Sequence, residues 1–249
     1  MDFSKTRIVG EDEILRGSKN KYLFFGGTFI FLCFLAIHYS ASILSLFPNS
    51  MNNLTYHLIL YFVVLVIGPF MILVTSFDSI SNEMETGSIR YIISKIDRTS
   101  FILGKFFALF IVFTSAAFVV AVIGQIYIYF SGNGLQLEKS IMWWVFSSLY
   151  LGCFISIFIF VSTLSKNNKT SLTMAFVFLG SLVFIFLQGD DNYLKYLTPY
   201  FYGVKNMGIL SGFPDEIEYT EVLKSIFAML IYTTAFLSMS LAALKRRDL

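Results

Sequence analysis

The residues of this sequence that could do chemistry are concentrated at positions 78–105, in a charged segment between two long apolar runs. It carries two carboxylates, Glu83 and Glu85, followed by the small polar turn Thr86-Gly87-Ser88. No Gly-x-Ser-x-Gly, His-Glu-x-x-His or Gly-x-x-x-x-Gly-Lys-[Ser/Thr] motif occurs anywhere in the chain, so no nucleophile, catalytic zinc or phosphate loop is indicated. We therefore expect no catalytic residue here, and any nucleotide-driven activity must come from another polypeptide.

The same segment predicts a short amphipathic helix. In SIRYIISKI, Ile89, Ile92, Ile93 and Ile96 fall at spacings of three, one and three, which places them on one helical face. Gly87 supplies the backbone freedom for a turn before that helix. Such a helix either lies flat on a lipid leaflet or docks into a groove on a soluble partner, and the residue pattern favours neither.

Metal binding is not indicated. His38 and His57 lie near the ends of the first two apolar runs, but two imidazoles alone make a poor metal site. Cys33 and Cys153 both fall inside apolar runs, where free thiols act as small packing residues. We expect no metal and no cofactor in this chain.

Composition identifies the class of protein that must hold this segment. Of the 249 residues, 56% are hydrophobic and 14% are charged, whereas a soluble domain carries about 25% charged residues. The 29 phenylalanines and a mean hydropathy of +0.72 agree with this excess of apolar surface. The chain is therefore predicted to be an integral membrane protein, and its net charge of only +2 gives no reason to expect a nucleic-acid partner.

Six apolar runs approach or exceed the length of about 20 residues that a membrane-spanning helix needs. They are continuous rather than alternating in polarity, which excludes a β-barrel pattern and predicts an all-α fold. The chain is predicted to form one transmembrane domain, 1–249, with an N-terminal arm at 1–21, a charged segment at 78–105 and a long loop at 188–224. The six spans are predicted at 22–43, 57–77, 106–130, 140–164, 171–187 and 225–244.

The positions of lysine and arginine predict how these spans are oriented. All but four of the 18 basic residues lie in the N-terminal arm, in 78–105, after the fourth span or at the C-terminus; the exceptions are Lys139, Lys195, Lys205 and Lys224. Both termini and 78–105 are therefore predicted to be cytoplasmic in a multi-pass protein of the plasma membrane. The loop 188–224 would lie outside, where its tyrosines suit short helices on the outer surface.

The predicted spans contain few polar features. None has Asp, Glu, Lys or Arg in its central part, which disfavours a stand-alone ion-coupled carrier or channel. Gly68-Pro69 lies in the middle of the second span, where proline predicts a kink. That kink is either a tolerated bend or a hinge.

Small residues recur four positions apart in two of the spans. One pair is Ser148 and Gly152, and a longer series is Thr234, Ser238 and Ala242. Such spacing permits close helix packing, either within one chain or, for the second series, across a dimer.

The charged segment also resembles a family signature. Glu83-Met84-Glu85-Thr86-Gly87-Ser88-Ile89, then Arg98, then Gly104-Lys105 opening the third span, resembles the segment after the second span of type-two ABC exporter permeases. The chain is most similar to permeases of the nitrous-oxide-reductase maturation system. Tyr196-Leu197-Thr198-Pro199 and the basic residues 245–247 are similar to further steps of the family, whereas its proline before the Ser-Arg step is absent at Ile96-Asp97.

This resemblance implies the membrane subunit of an ABC exporter. ATP and Mg²⁺ would act on a separate cytoplasmic ATPase subunit, two permease subunits would pair as a homodimer or heterodimer, and membrane lipid would surround them. Ile89–Ser94 would be the coupling helix, and Lys105 would extend to the lipid headgroups. The implied ATPase-coupling residues are Glu83, Glu85, Thr86, Gly87, Ser88, Ile89, Ile92, Ile93, Arg98, Gly104 and Lys105, with a second contact from Glu11, Asp12, Glu13 and Arg16 of the arm.

Two other functions are compatible with the residues alone. One is a non-transport membrane module for interaction or assembly, whose amphipathic segment binds the inner leaflet. The other, less favoured, is a stand-alone channel or carrier. A dedicated ATPase partner would distinguish the permease from both.

Overall fold

The computed structural model describes residues 3–18, 21–39, 56–130, 134–188, 193–212 and 219–247. Within these ranges the chain is helical and contains no strand, which confirms the predicted all-α class. The helices are α1 (Phe3–Ser18), α2 (Lys21–His38), α3 (Tyr56–Ser76), α4 (Ser81–Glu85), α5 (Ser88–Lys95), α6 (Arg98–Phe130), α7 (Leu137–Leu164), α8 (Asn168–Leu187), a 3-10 turn (Tyr193–Leu197), α9 (Pro199–Gly212) and α10 (Tyr219–Lys245).

Five helical segments are long and apolar enough to cross a membrane, namely α3 continued to Glu85, α6, α7, α8 and α10. The first predicted span, 22–43, is represented by α2, whose apolar part is Phe24–His38. At 1.5 Å per residue this part is about 22 Å long, less than the roughly 30 Å hydrocarbon core. Residues 40–43 of that span lie outside the described ranges. The chain is thus a multi-pass membrane protein with five membrane-length helices among its described residues.

Helix α7 lies at the centre of the bundle. Of its most apolar stretch, 83% is buried within the chain, compared with 22% for α8 and 11% for α10. It packs against α3, α6 and α10, with Trp143, Phe146, Tyr150, Phe154 and Phe158 fully buried. Helices α8 and α10 consequently present most of their apolar surface away from the chain.

The two predicted sets of small residues lie on different kinds of surface. Ser148 and Gly152 of α7 point inward, and a Cβ added to Gly152 would lie 3.1 Å from Phe110 Cε2. The glycine therefore allows α6 and α7 to approach closely. Thr234, Ser238 and Ala242 of α10 are instead exposed, so this series does not serve packing within the chain.

Helix α9 lies in the segment that was expected to form short helices on the outer surface. The structure differs, because α9 packs against α3, α7 and α10. Asn206 and Leu210 are fully buried, and the Ser225 hydroxyl donates to Asn206 Oδ1 at 2.5 Å. Part of the predicted outer loop thus belongs to the core of the bundle.

Candidate functional site

The charged segment folds at one end of the bundle, which we call the α5 end and define by α1, α4, α5 and the first turns of α6. The opposite end, with α9 and the start of α7, is the α9 end. The predicted site residues Glu83 to Ile93 belong to α4, α5 and the turn between them. Arg98, Gly104 and Lys105 open α6, so all of the predicted coupling residues lie at the α5 end.

Gly104 is the point at which α1 crosses α6. A Cβ at this position would lie 2.6 Å from Val9 Cβ and 2.9 Å from the Thr6 carbonyl oxygen. Both Thr6 and Val9 are buried, which leaves them no room to withdraw. The glycine of the predicted Gly-Lys step is therefore needed to seat the N-terminal helix.

Lys105 lies at the centre of a buried ion-pair cluster. Its Nζ donates to Glu13 Oε2 of α1 at 2.5 Å and to Glu83 Oε1 of α4 at 2.7 Å, and the Tyr22 hydroxyl of α2 donates to Glu13 Oε1 at 2.8 Å. Lys105 is only 4% exposed, so the expectation that it extends to the headgroups is wrong. The cluster joins four helices through one ammonium group and two carboxylates.

The second contact expected from the N-terminal arm stays a prediction, since two of its acidic residues are exposed at this end. Glu11 pairs with Arg7 on the exposed face of α1, and Asp12 is also exposed. The side chain of Arg16 lies outside the described part of the chain. A second ion pair does reach the charged segment, between Lys21 at the start of α2 and Asp78 after α3.

Helix α4 is fixed to the turn between α7 and α8. The Ser162 hydroxyl accepts hydrogen bonds from the backbone amides of Ile80 and Ser81, both at 3.0 Å. Glu85 Oε2 accepts from the Asn168 amide at 2.8 Å, which places a carboxylate at the N-terminus of α8, where the helix dipole favours negative charge. The Ser81 hydroxyl donates to Asn168 Oδ1 at 2.8 Å.

The turn Thr86-Gly87-Ser88 separates α4 from α5. Gly87 has φ +73°, and no atom lies within 4 Å of a Cβ built on it. Glycine is therefore required here by the positive φ of the backbone and not by a lack of space for a side chain. The Thr86 hydroxyl bonds to the Asn82 carbonyl at 2.9 Å and to the Ser88 hydroxyl at 3.0 Å, which fixes the turn on both sides.

The two faces of α5 are used differently. Ile89 is 2% exposed, and Ile92, Ile93 and Ile96 are partly buried against the core. The isoleucine face therefore packs onto this chain and is largely unavailable to a partner or to lipid. The exposed face consists of Arg90, Tyr91, Ser94 and Lys95.

The exit from α5 requires no proline. Helix α5 ends at Lys95, and Ile96 is extended, with φ −127° and ψ 137°. The Asp97 carbonyl accepts the Phe101 amide at 3.0 Å, which starts α6. An extended isoleucine thus makes the connection at which the resembled family has proline.

Two arginines bind the carbonyl ends of neighbouring helices. Arg98 Nη1 donates to the carbonyls of Leu244 at 3.1 Å and Lys245 at 2.9 Å. Arg247 donates to the carbonyls of Leu164 and Ser165 at the end of α7. Cations at helix C-termini are favoured by the dipole, so Arg98 acts on α10 rather than on a partner.

Some residues of this site could not be recognised from the sequence. Ser162 and Tyr22 were ordinary polar residues at the ends of apolar runs, and their partners lie far away in the chain. Asn168 gives a partial signal, because an Asn-rich turn before an apolar run is a common helix start. The Asn167 side chain indeed accepts from the Thr170 amide at 2.8 Å.

The described residues contain no group of three or more potential metal ligands. His57 Nε2 lies 2.9 Å from the Ser140 hydroxyl, and the side-chain amide of Gln125 lies 2.7 Å from the same hydroxyl. This neutral cluster is at the α9 end. Cys33 and Cys153 are buried free thiols.

Residues 9–249 match a family model described as "ABC-2 family transporter protein". The matched region includes the α5 end except for the first residues of α1, and all five membrane-length helices of the described ranges. The match is to the family as a whole, so the similarity to nitrous-oxide-reductase maturation permeases stays a prediction. No individually curated protein matches the chain.

Proposed function

The chain belongs to the ABC-2 family of transporter proteins, and from this premise we propose that it is the permease subunit of an ABC exporter. A separate cytoplasmic subunit would bind and hydrolyse ATP with Mg²⁺. The observation that carries the proposal is the construction of the α5 end. Helix α5, which has one exposed polar face, packs on the chain through its isoleucines and directly follows α4, which an ion pair and hydrogen bonds fix to the spans.

These contacts give a route for movement from a docked ATPase. Glu83 joins α4 to α6 through Lys105, Ser162 joins it to α7, and Glu85 joins it to α8. A displacement of α5 would pass to α4 and move several spans together, because the contacts of Glu83 and Ser162 are short and buried, and the more exposed contact of Glu85 adds α8. A flexible loop in the same place could not transmit such a displacement.

We propose that α5 faces the cytoplasm, as the distribution of lysine and arginine predicts. The chain would then have six spans, with α2 as the first, and both termini would be cytoplasmic. A second permease subunit would pack against the exposed faces of α8 and α10. Thr234, Ser238 and Ala242 are exposed, as a small-residue contact between subunits requires.

The exposed face of α5 specifies the surface that would receive it. Arg90 and Lys95 are cationic, and Tyr91 is 66% exposed with Lys95 Nζ 4.3 Å above its ring centroid. An acidic groove with room for one aromatic ring is the complement of this face. The isoleucine face points the other way, which removes the support for a module that inserts those isoleucines into the inner leaflet.

The test is purification of the tagged full chain from its native host in mild detergent, followed by mass spectrometry of co-purifying subunits. We expect a subunit with Gly-x-x-x-x-Gly-Lys-[Ser/Thr], lost in the variant Arg90→Glu/Lys95→Glu. A matched control, Lys245→Glu/Arg246→Glu, reverses the same charge at the same end on exposed residues outside α5. It should retain the subunit.

Two results would overturn the proposal. Repeated recovery of the chain without any ATPase would favour the non-transport module. Equal loss of the subunit in both charge-reversal variants would show that general electrostatics, and not α5, holds it. Substitution of Ile92 and Ile93 would be less informative, because these residues pack against the core of the chain.

A further inference from the structure

The middle of α3 contains a backbone carbonyl that its own helix cannot satisfy. Pro69 lies inside α3 and is buried. Because proline has no N–H, the usual hydrogen bond from residue 69 to the Leu65 carbonyl is impossible. In a membrane such a group has no water to bind, so a neighbouring helix must supply a donor.

Tyr150 of α7 supplies that donor. Its hydroxyl donates to the Leu65 carbonyl at 3.0 Å, and the residue is fully buried. The ring is held in place by Phe154 at 5.1 Å between centroids. On its other side lies Gly203 of α9, where an added Cβ would be 2.9 Å from Tyr150 Cε2. The position of the hydroxyl is therefore fixed by two helices.

Helix packing beside Pro69 is close on the α3 side as well. A Cβ on Gly68 would lie 2.8 Å from Leu151 Cδ2 of α7. Pro69 thus leaves the Leu65 carbonyl without its usual donor. Gly68 allows the close approach of α7 that brings the Tyr150 hydroxyl within hydrogen-bonding distance.

Pro69 lies between two further polar contacts with α7, one made by α3 itself and one made at the start of α4, which continues it. His57 meets Ser140 near the start of both helices, and the Ile80 amide meets Ser162 near their ends. The paired residues are 83, 85 and 82 positions apart in order along the helices. This nearly constant separation means that the two helices run side by side in the same direction. Of these three contacts, the hydrogen bond of Tyr150 is the one next to Pro69.

We propose that Tyr150 is a positioning residue for coupling. Its hydroxyl replaces the missing amide of residue 69 and holds α3 at one bend angle. Movement of α4 and α5 then reaches the half of α3 that lies before the kink. The transport consequence rests on the proposed function, whereas the control of the bend can be tested on the chain alone.

The test is hydrogen–deuterium exchange of the full chain in lipid nanodiscs, with any co-purified subunit retained. Tyr150→Phe should speed exchange at residues 66–73 about tenfold, because the bare carbonyl destabilises the bent segment. Pro69→Ala restores an amide that can bond the Leu65 carbonyl within the helix. In the Pro69→Ala background, Tyr150→Phe should therefore change exchange less than about twofold.

A matched control removes a hydroxyl from the same aromatic cluster. Tyr200 is buried with its ring 6.3 Å from that of Tyr150. Tyr200→Phe should leave exchange at residues 66–73 unchanged. If Tyr150→Phe does not fold on its own, the comparison of Pro69→Ala with the double variant still shows whether the hydroxyl is dispensable once an amide is present.

Two outcomes would overturn the proposal. One is an equal effect of Tyr150→Phe in both backgrounds, since a merely structural tyrosine would not be rescued by Pro69→Ala. The other is no change in exchange at all. Neither depends on an ATPase, so this proposal and the proposed function can fail separately. If an ATPase co-purifies, ATP should alter exchange at residues 57–64 in the unsubstituted chain and not in Tyr150→Phe.

Discussion

The two ends of the bundle are held together by different chemistry. At the α5 end, ion pairs and arginines at helix C-termini join α1, α4, α6, α7 and α10. At the α9 end the buried contacts between helices include neutral hydrogen bonds, such as His57 with Ser140 and Ser225 with Asn206, and the ion pair of Lys205 with Glu221, which joins α9 to α10, is partly exposed. Removing one partner of a buried ion pair costs about 3–5 kcal/mol, whereas a neutral hydrogen bond between membrane helices contributes roughly 0.6–1.7 kcal/mol.

This difference indicates which end can move. An end joined by buried charge resists separation and transmits displacement as one body. An end joined by neutral hydrogen bonds and by a partly exposed ion pair, which is weaker than a buried one, can rearrange at a lower cost. The comparison predicts that equivalent substitutions at the two ends will have effects of different size, and that these effects will fall on different properties of the protein.

The largest effect is expected from Lys105→Ala. It leaves Glu13 and Glu83 facing each other without their cation, so we expect a loss of about 3–5 kcal/mol in unfolding free energy. Thermal unfolding in detergent measures this. The triple variant Lys105→Met/Glu13→Gln/Glu83→Gln should recover most of the loss, because no buried charge remains. If Lys105→Ala lowers the unfolding free energy no more than the exposed control Lys95→Ala does, the cluster does not hold this end together.

Gly104→Ala should have the next largest effect. Its Cβ would collide with Val9 and the Thr6 carbonyl, and overpacking of this kind costs about 1–3 kcal/mol. We expect α1 to leave α6, measured as faster proteolysis or hydrogen exchange of residues 3–18. The matched control is Gly180→Ala in α8, where an added Cβ meets nothing within 4 Å. Equal protection of α1 in both variants would contradict the docking role of Gly104.

Gly87→Val compares the two ends most directly. Gly87 and Gly134 both have φ +73° with open space around the Cβ position, so valine at either should cost about 1–3 kcal/mol of local strain. Gly134 lies just before α7, at the α9 end. Reconstituted transport should be uncoupled from ATP hydrolysis by Gly87→Val and not by Gly134→Val, with membrane insertion intact in both. Unchanged transport in Gly87→Val would count against the coupling assignment.

The smallest effect is expected from Ser140→Ala at the α9 end. It removes the hydroxyl that lies between His57 and Gln125, at a cost of about 0.6–1.7 kcal/mol. Ser148→Ala is its control, since the Ser148 hydroxyl is buried without a hydrogen-bond partner among the described residues. In thermal unfolding, the midpoint temperature of Ser140→Ala should be lower than that of Ser148→Ala. A loss comparable to that of Lys105→Ala would abolish the contrast between the ends.

The helical class and the turn at Gly87 could be predicted from the sequence because both follow from local rules. Continuous apolar runs must be helical in lipid, and a glycine between two short polar stretches marks a turn. The isoleucine spacing likewise predicted the amphipathic helix α5. It could not show that this face packs inward, because burial depends on elements distant in the chain.

The partners of the charged residues could not be predicted for the same reason. Lys105 meets Glu13 across 92 positions, and Arg98 meets Leu244 across 146. Without those contacts, a lysine at the start of a span is expected to reach the headgroups, and an arginine near a coupling helix is expected to face the partner. Both expectations follow from local context, and long-range packing overrides them.

The distance in sequence between Glu13 and Lys105 sets an order of events during synthesis. At roughly 5–20 residues per second, the ribosome adds the 92 intervening positions in about 5–20 seconds. For that time α1 has neither the glycine on which it rests nor the cation that neutralises Glu13. The N-terminal helix must therefore wait without its contacts on α6 while the first two spans are inserted, and it can complete its packing only when the third arrives.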